Sequence, residues 1–433
     1  MTYEEAAAYL EKHAGRGVRP GLAQIAGLLE MMGDPHLTYP VVHVTGSKGK
    51  SSVSRMVTLL GAAHGLSVGT YTSPHLETVE ERFSYNSEQM TAEQFAQAVA
   101  DVAAFDSLID DDPERRLTYF EFATAVALAW FADRAVELGV IEVGLGGRLD
   151  ATNIVQSAVA VVASIALEHT EYLGDTLESI AGEKAAILKP GGSLVTGELP
   201  PEAESVMAAR AAEQGGRYLV AGRDFRVADE VQAVGGWDIS VDGIYEHYDE
   251  IHLPVHGRHQ VGNSAIAIAA AEELLGRALD PEAVRDGFAA LTLPGRLEVI
   301  GRHPLVVVDG AHTPESMQAG AATLDEEFPP FLWKVVVGVL GDKRLDEIAA
   351  ALDGIAGEVF AVTAPSSRGV PAAEVAAAAR SALPGRTVLE AGSVEDGIRA
   401  ALEAAGEDGA VLITGSMYVA GEARSLLANT ERS

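Results

Sequence analysis

The stretch from Val41 to Met56, VVHVTGSKGKSSVSRM, places the strongest constraint on how this chain can fold. An apolar, β-branched run leads into a turn with two glycines, and a sequence of helical character follows. Glycine lets the backbone turn and brings its N–H groups close to a ligand, while a helix start adds partial positive charge. The pattern predicts a strand, a nucleoside triphosphate loop and a helix, with the loop formed by Gly46, Ser47, Lys48, Gly49, Lys50, Ser51 and Ser52.

The spacing within this loop is the shorter G-x-x-G-K-[ST] form of a phosphate loop. The longer and more common form would need a glycine at position 44, where this chain has Val44. An ordinary Gly/Ser turn between a strand and a helix is the alternative interpretation. Other parts of the chain must therefore decide between a binding loop and a simple turn.

The charge balance excludes whole classes of partner. The chain has 63 acidic and 31 basic residues among 433, a formal net charge of −32, which repels nucleic acid and anionic membranes. An acidic surface of this kind favours solubility or adaptation to salt over an acidic binding face. Any anionic substrate must therefore be met by locally placed cations or by a metal ion.

Cysteine is absent, which excludes disulfides, thiolate catalysis and cysteine metal sites. The first residues lack a basic start followed by an apolar block, and no run reaches about 18 uninterrupted apolar residues. We therefore expect a soluble, cytoplasmic protein.

The length predicts two domains, which we place at residues 1–294 and 295–433. Strands and helices alternate on both sides of Leu293-Pro294-Gly295-Arg296, the predicted hinge. Helices are expected near residues 92–105, 118–132 and 281–290, and strands near 304–309, 333–338, 357–362, 386–390 and 410–414. The pattern of residues 193–254 is one of short strands and turns, which suggests a small antiparallel insertion or edge.

A second glycine-rich turn follows the strand that ends at Glu142, in the stretch EVGLGGRLDATN. A dinucleotide-binding fingerprint would need a further glycine three places after Gly146, where the chain has Leu149. The turn is therefore predicted to shape a substrate wall.

Eight motifs occur in a fixed order along nearly the whole chain: HVTGSKGKSS, TSPHL, LTYFEF, EVGLGGRLDATN, EHTEYLGDTLESIAGEKAAI, LPGRLEVI, VVDGAHTP and GSMYVAGEA. With these motifs the chain resembles the folylpolyglutamate synthase and dihydrofolate synthase family, a branch of the Mur-type amide ligases. The resemblance implies an α/β fold: an ATPase domain with a phosphate loop and a parallel sheet, and a smaller, Rossmann-like C-terminal α/β domain.

The activity implied by the resemblance is ATP-dependent ligation. ATP phosphorylates the carboxylate of a pterin-linked acid, and the amino group of L-glutamate attacks the acyl phosphate to give an amide, ADP and phosphate. The implied partners are these small molecules alone, and the implied state is a monomer.

The resemblance also implies a set of site residues. Lys50 and the loop N–H groups would neutralise phosphates, and Ser51 or Ser52 would reach Mg²⁺. Ser73, Glu142 and His169 match positions that share a second Mg²⁺. Lys184 matches a lysine that forms a carbamate with CO₂, which requires a neutral amine and thus a lowered pKa.

The remaining matches divide between nucleotide and acceptor. Asn263, Arg296 and Asp309 match nucleotide-binding residues, and His312 matches a catalytic position near the closing interface. The wall for the pteroate portion corresponds to Thr118, Tyr119, Phe120, Glu121, Leu149, Asp150 and Ala151.

Several positions depart from the family pattern. The loop has Ser47-Lys48-Gly49-Lys50-Ser51 where Thr-Asn-Gly-Lys-Gly is usual, and Glu168, Ala186 and Thr313 replace an aspartate, a glycine and an asparagine. These changes leave open a Mur-type ligase that joins an amino acid to a different acid. A nucleotide-binding regulatory protein without catalysis is a third hypothesis, although the metal, lysine and nucleotide positions are all retained.

Overall fold

The computed structural model describes residues 1–17, 19–109, 112–341 and 343–430. Its first sheet has eight strands in the spatial order β4-β3-β2-β5-β1-β6-β7-β8. These strands are β1 (Val41–Thr45), β2 (Val68–Tyr71), β3 (Phe83–Tyr85), β4 (Glu88–Gln89), β5 (Leu138–Glu142), β6 (Ser157–Val162), β7 (Ser193–Thr196) and β8 (Tyr218–Val220).

Strand β1 lies in the middle of this sheet and all five of its residues are buried. It pairs in parallel with β5 on one side and β6 on the other, so an apolar, β-branched sequence is covered on both faces. The antiparallel pairings of this sheet, β2 with β3 and β3 with β4, lie at one edge. The carboxyl ends of β1, β2, β5 and β6 consequently meet at one edge of the sheet, where ligands bind in folds of this type.

Helices cover both faces of the first sheet. One face carries α3, α9 and α10, whereas α1 and α2 join α4 and α5 over the other. The bounds are α1 (Tyr3–Glu11), α2 (Ala23–Met31), α3 (Lys50–Ala63), α4 (Ala92–Asp106), α5 (Tyr119–Asp133), α6 (Thr170–Leu173), α7 (Leu177–Ala185), α8 (Pro201–Gln214), α9 (His259–Leu275) and α10 (Pro281–Ala289).

The antiparallel insertion predicted for residues 193–254 exists, but it is shorter. Strands β9 (Arg226–Ala233), β10 (Gly236–Asp242) and β11 (His247–Leu253) form a three-stranded antiparallel sheet. The prediction was wrong for residues 193–220. There β7 and β8, connected by α8, extend the large sheet in parallel. Helix α8 buries only Ala203, Met207 and Ala211, so its apolar stripe is too narrow to show in the sequence.

The second sheet has six strands in the order β12-β13-β17-β14-β15-β16. The five predicted strands are confirmed, and the antiparallel edge strand β12 is an addition. The strands are β12 (Glu298–Arg302), β13 (Leu305–Val308), β14 (Trp333–Val337), β15 (Ala356–Val362), β16 (Thr387–Gly392) and β17 (Ala410–Thr414). The helices are α11 (Pro314–Glu327), α12 (Leu345–Ala350), α13 (Ala372–Ala382), α14 (Val394–Ala405) and α15 (Met417–Thr430).

Two separate apolar clusters lie on the two faces of this sheet, so helices cover both. The fold class is therefore the predicted one, two α/β units with largely parallel sheets. Within the described ranges, no helix combines the length and apolar character needed to cross a membrane.

Candidate active site

The phosphate loop joins β1 to α3, as predicted. Gly46 has φ 155° and Gly49 has φ 84°, backbone conformations that glycine adopts most easily. A methyl group at Gly49 would lie 2.8 Å from Asn263 Oδ1, which also leaves no room for a larger residue. Helix α3 has no side-chain cap at Gly49, so its first N–H groups are available for an anion.

The loop is held by the segment that follows β6. Ser47 N donates to Ser164 O (2.9 Å), and Lys48 N donates to Ser164 Oγ (2.8 Å). Ser164 Oγ in turn donates to Lys48 O (2.9 Å), so one hydroxyl satisfies both backbone groups of Lys48. Sequence reasoning missed Ser164, although its place just beyond a buried strand was the available signal.

Lys50 is the first residue of α3, directly after Gly49. Its Nζ donates to Gly46 O (2.8 Å), which folds the side chain back over the loop. Ser52 is buried with 5% exposure, whereas Ser51 points toward the neighbouring strand end. The loop therefore presents amides, one lysine and one hydroxyl to the same edge of the sheet.

Three of the four predicted metal residues lie together. Ser51 Oγ donates to Glu142 Oε1 (2.8 Å), and Ser73 N donates to Glu142 Oε2 (3.3 Å). Glu142 is 1% exposed, and burial raises its pKa while Lys50 and the two serines act in the opposite direction. A buried carboxylate with hydroxyl groups beside it is a donor set that suits Mg²⁺.

His169 is placed differently. It is exposed, with φ 44°, and directly precedes α6 in the segment after β6. Among the described residues, no hydrogen bond or ion pair joins it to Ser51, Ser73 or Glu142. The same ranges contain no group of three or more His, Asp or Glu side chains arranged to hold a metal ion, so phosphate or water oxygens would have to complete the shell.

Lys184 is buried on α7, with 1% of its side chain exposed, and its Nζ lies 2.8 Å from Glu168 Oε1. Burial lowers the pKa of Lys184, and the charge of Lys50 lowers it further. Burial also acts to raise the pKa of Glu168, but Lys184 and Lys50 outweigh it and the net shift is downward. Glu168, identified in the sequence only as a departure from the family pattern, is thus the direct partner of Lys184.

The two predicted segments of the acceptor wall are adjacent. Phe120 packs under the glycine-rich turn, where a methyl group on Gly144 would lie 2.6 Å from Phe120 Cζ. Thr118 caps α5 through Glu121, and Glu121 Oε1 is buried without a hydrogen-bond partner among the described atoms. An unsatisfied, buried carboxylate oxygen beside aromatic rings is a feature that a polar heterocycle would satisfy.

Asp150 has a different environment from that of Glu121. Its carboxylate accepts from Leu145 N (2.8 Å), Thr152 N (3.0 Å) and Thr152 Oγ1 (2.5 Å), and it is 8% exposed. Burial raises its pKa, and these hydrogen bonds oppose that rise. The side chain therefore ties the glycine-rich turn together, while Leu149 is 37% exposed and Ala151 is buried.

The three predicted residues at and beyond the hinge have different surroundings. Arg296 Nη1 donates to Met417 Sδ (3.1 Å), and Arg296 lines a small cavity with Ser51 and Ser52. Asp309 accepts from Leu297 N (3.3 Å), and burial raises its pKa although Arg296 opposes this. His312 Nδ1 lies 2.9 Å from Gly310 O, at the start of α11.

A larger cavity of about 430 Å³ adjoins the small one, and both are lined by Arg55 and Thr72. Arg55 lies one helical turn beyond Ser51 on α3, and burial lowers its pKa. Arg55 was not among the residues predicted from the sequence, although its spacing of four residues from Ser51 places both on one helix face.

Comparisons with known proteins agree with this geometry. Residues 44–271 match the Mur ligase middle domain, and residues 295–417 match the Mur ligase glutamate ligase domain. The dihydrofolate synthase/folylpolyglutamate synthase of Mycobacterium tuberculosis is 36% identical, over 94% of this chain and 90% of its own length. The folylpolyglutamate synthase of Lacticaseibacillus casei is 34% identical, over 99% of both chains.

A solved structure of the Mycobacterium tuberculosis folylpolyglutamate synthase complexed with ADP superimposes with a TM-score of 0.93 at 35% identity, covering 98% of each chain. Fold, motif order and full-length similarity point to one conclusion. The chain belongs to the folylpolyglutamate synthase/dihydrofolate synthase family of Mur ligases.

Proposed function

We propose that this protein is an ATP-dependent amide ligase that adds L-glutamate to the carboxylate of a folate or dihydropteroate. The observation that carries the proposal is the uncapped start of α3, where Lys50 lies next to Ser51 and Ser51 donates to the buried Glu142. The γ-phosphoryl group of ATP would pass to a carboxylate oxygen, releasing ADP. The glutamate nitrogen would then attack the acyl carbon, losing a proton as phosphate leaves.

Each part of the loop has a role in this proposal. The uncapped N–H groups at the start of α3 and the Lys50 ammonium would hold the β and γ phosphates, including the charge that develops during transfer, while the amides of Ser47 and Lys48 stay bonded to Ser164. Ser51, Ser73, Glu142 and His169 would hold two Mg²⁺ ions, which when bound neutralise phosphate charge. The contacts of Glu142 with Ser51 and Ser73 support this assignment, and His169 would be recruited from the neighbouring loop.

Lys184 is proposed to carry a carbamate formed with CO₂. Its burial and lowered pKa support this, because only a neutral amine reacts with CO₂. Carbon-13 NMR of protein equilibrated with labelled bicarbonate should show one carbamate signal that is missing from Lys184→Gln. A spectrum identical for the two proteins would remove the carbamate from the mechanism.

Asn263, Arg296 and Asp309 are proposed to hold the nucleotide, and His312 to act near the reacting groups when the two domains, 1–294 and 295–433, close. Thr118 to Glu121 and Leu149 to Ala151 would receive the pteroate portion. The proposal includes a cytoplasmic monomer that uses small molecules. The net charge of −32 argues against nucleic acid and anionic membranes as partners.

The test is phosphate release from ATP, measured with each substrate omitted in turn. We expect release only when Mg²⁺, L-glutamate and a pterin acid are all present, and a product heavier by one glutamyl unit. Release that does not respond to pterin acid or glutamate would contradict the proposal. Glutamate-dependent release with a different acid alone would instead identify the alternative Mur-type ligase.

A further inference from the structure

Glu327, the last residue of α11, makes a buried contact between the two parts of the chain. Its Oε1 accepts from Trp237 Nε1 (3.1 Å) and Gly257 N (2.9 Å), and its Oε2 lies 2.9 Å from His256 Nδ1. Only 2% of the Glu327 side chain and 13% of the His256 side chain are exposed. All three partners precede the hinge, whereas Glu327 follows it.

Aromatic packing reinforces this contact. The rings of His256 and Phe328 have centroids 4.5 Å apart, and Phe328 meets Trp333 edge to face at 5.8 Å. Trp333 begins β14 and is 1% exposed, so the contact is anchored in the core of the second sheet. Buried, charge-assisted hydrogen bonds of this kind fix orientation more firmly than exposed ion pairs do.

From Gly257 a continuous series of contacts leads to the phosphate loop. Gln260 N donates to Gly257 O (2.8 Å), and the Gln260 side chain lies 3.0 Å from His259 Nε2. Asn263 Nδ2 donates to Gln260 Oε1 (2.9 Å), which turns Asn263 Oδ1 toward Gly49. Gln260 is 1% exposed and Asn263 is 8% exposed, so both side chains are held inside the protein.

We propose that Glu327 is a positioning residue for nucleotide binding: it fixes the segment Gly257–Asn263 against the second domain and thereby sets Asn263 beside the phosphate loop. Through this contact, the position of the C-terminal domain determines the geometry of the nucleotide site. The inference rests on the proposed function only in taking the ligand of the loop to be an adenine nucleotide.

The experiment measures ADP binding by calorimetry on the full-length protein. Glu327→Ala should weaken ADP binding by about tenfold, the equivalent of one charge-assisted hydrogen bond, and should raise the KM for ATP with little change in kcat. Glu327→Gln keeps an oxygen that can accept from Gly257 N and should restore most of the affinity. Glu326→Ala, which changes the exposed neighbour on the same helix, is the matched control and should bind ADP like the parent protein.

A double-mutant cycle separates positioning from general destabilisation. The cycle combines Glu327→Ala with Asn263→Ala. If Glu327 acts through Asn263, the double variant should bind ADP at most about twofold more weakly than the weaker-binding single variant. The inference would be overturned if the affinity loss of the double variant equalled the product of the two single losses. A folded Glu327→Ala with unchanged ADP affinity would also overturn it. A protein that binds ADP but releases no phosphate with pterin acid and glutamate would contradict the ligase proposal while leaving this test intact.

Discussion

Two glycine-rich turns follow the neighbouring parallel strands β1 and β5, yet they use their polar groups in opposite ways. In residues 46–49, the turn leaves the first N–H groups of α3 without a side-chain cap. In residues 144–150, the turn satisfies its own amides, because Asp150 accepts from Leu145 N and Thr152 N.

The packing of the second turn differs as well. A methyl group on Gly147 would lie 2.5 Å from Glu183 O and 3.2 Å from Lys184 Cα. Arg148 N also donates to Glu183 O (2.9 Å). The first turn therefore leaves the start of α3 open to a ligand, and the second packs against the helix that carries Lys184. Glycine content alone does not distinguish the two turns.

Removing the charge of Lys50, directly after the first turn, should have the largest effect on turnover. Lys50→Ala should lower kcat by about 10³-fold, because a full positive charge is lost where phosphate charge develops. Its thermal unfolding should stay close to that of the parent protein, since Lys50 Nζ has only Gly46 O as a hydrogen-bond partner among the described residues.

Stopped-flow or coupled phosphate assays would measure the rate, and calorimetry the unfolding. Lys48→Ala keeps the backbone contacts with Ser164 and removes the other lysine of the loop, so comparison of the two variants shows which lysine serves phosphate transfer. Turnover that survives in Lys50→Ala would mean that the first turn does not serve phosphate transfer.

Glu142→Gln tests the carboxylate between the two turns. We expect a loss of about 10- to 100-fold in rate at moderate Mg²⁺, recovered in part by excess Mg²⁺, because a charged oxygen ligand becomes a neutral amide. The measurement is the Mg²⁺ concentration that gives half-maximal phosphate release. An unchanged half-maximal concentration would show that Glu142 orients Ser51 and Ser73 without serving the metal.

The residues next to each strand were predictable from the sequence because their chemistry is local. Gly46, Ser73 and Glu142 lie at or just beyond the ends of buried strands, and Lys50 opens the helix after the first of them. Parallel strands bring their carboxyl ends to one edge. Ser164 also lies just beyond a buried strand, but its role, like that of Glu327, depends on a partner about 70 to 120 positions away in the sequence, which the sequence pattern does not reveal. Helix α8 was missed because short apolar runs between turn residues look alike in strands and helices.

Lys184, on the helix that the second turn contacts, should affect how the free energy of unfolding depends on pH. Its folded pKa is lowered by burial, whereas an unfolded lysine titrates near about 10.4. Between these two values the unfolded chain binds more protons, so the free energy of unfolding should rise with pH in this window. Lys184→Gln should lose this rise.

Urea unfolding at several alkaline pH values, in carbonate-free buffer, measures the difference between the two proteins. Other groups contribute equally to both profiles, including Lys189, whose pKa burial lowers to about 8. Parallel profiles would show that Lys184 titrates as an ordinary lysine.

Substitutions of two glycines, one beside α7 and one within it, should have the smallest effect on turnover. They test directly whether the second turn supports α7. Gly147→Ala should destabilise the protein by roughly 1–3 kcal/mol, because the methyl group meets the Glu183 carbonyl and neither backbone can move away easily. Gly182→Ala lies in α7 itself with no atom within 4 Å of the new methyl group, and it should stabilise the helix by up to about 1 kcal/mol. Denaturant unfolding of both variants measures the change in the free energy of unfolding, which should be opposite in sign for the two. Equal changes would mean that the turn does not press against α7. A fully active Gly182→Ala beside a Gly147→Ala with reduced turnover would attribute the loss of activity to a displaced Lys184, against which the turn packs.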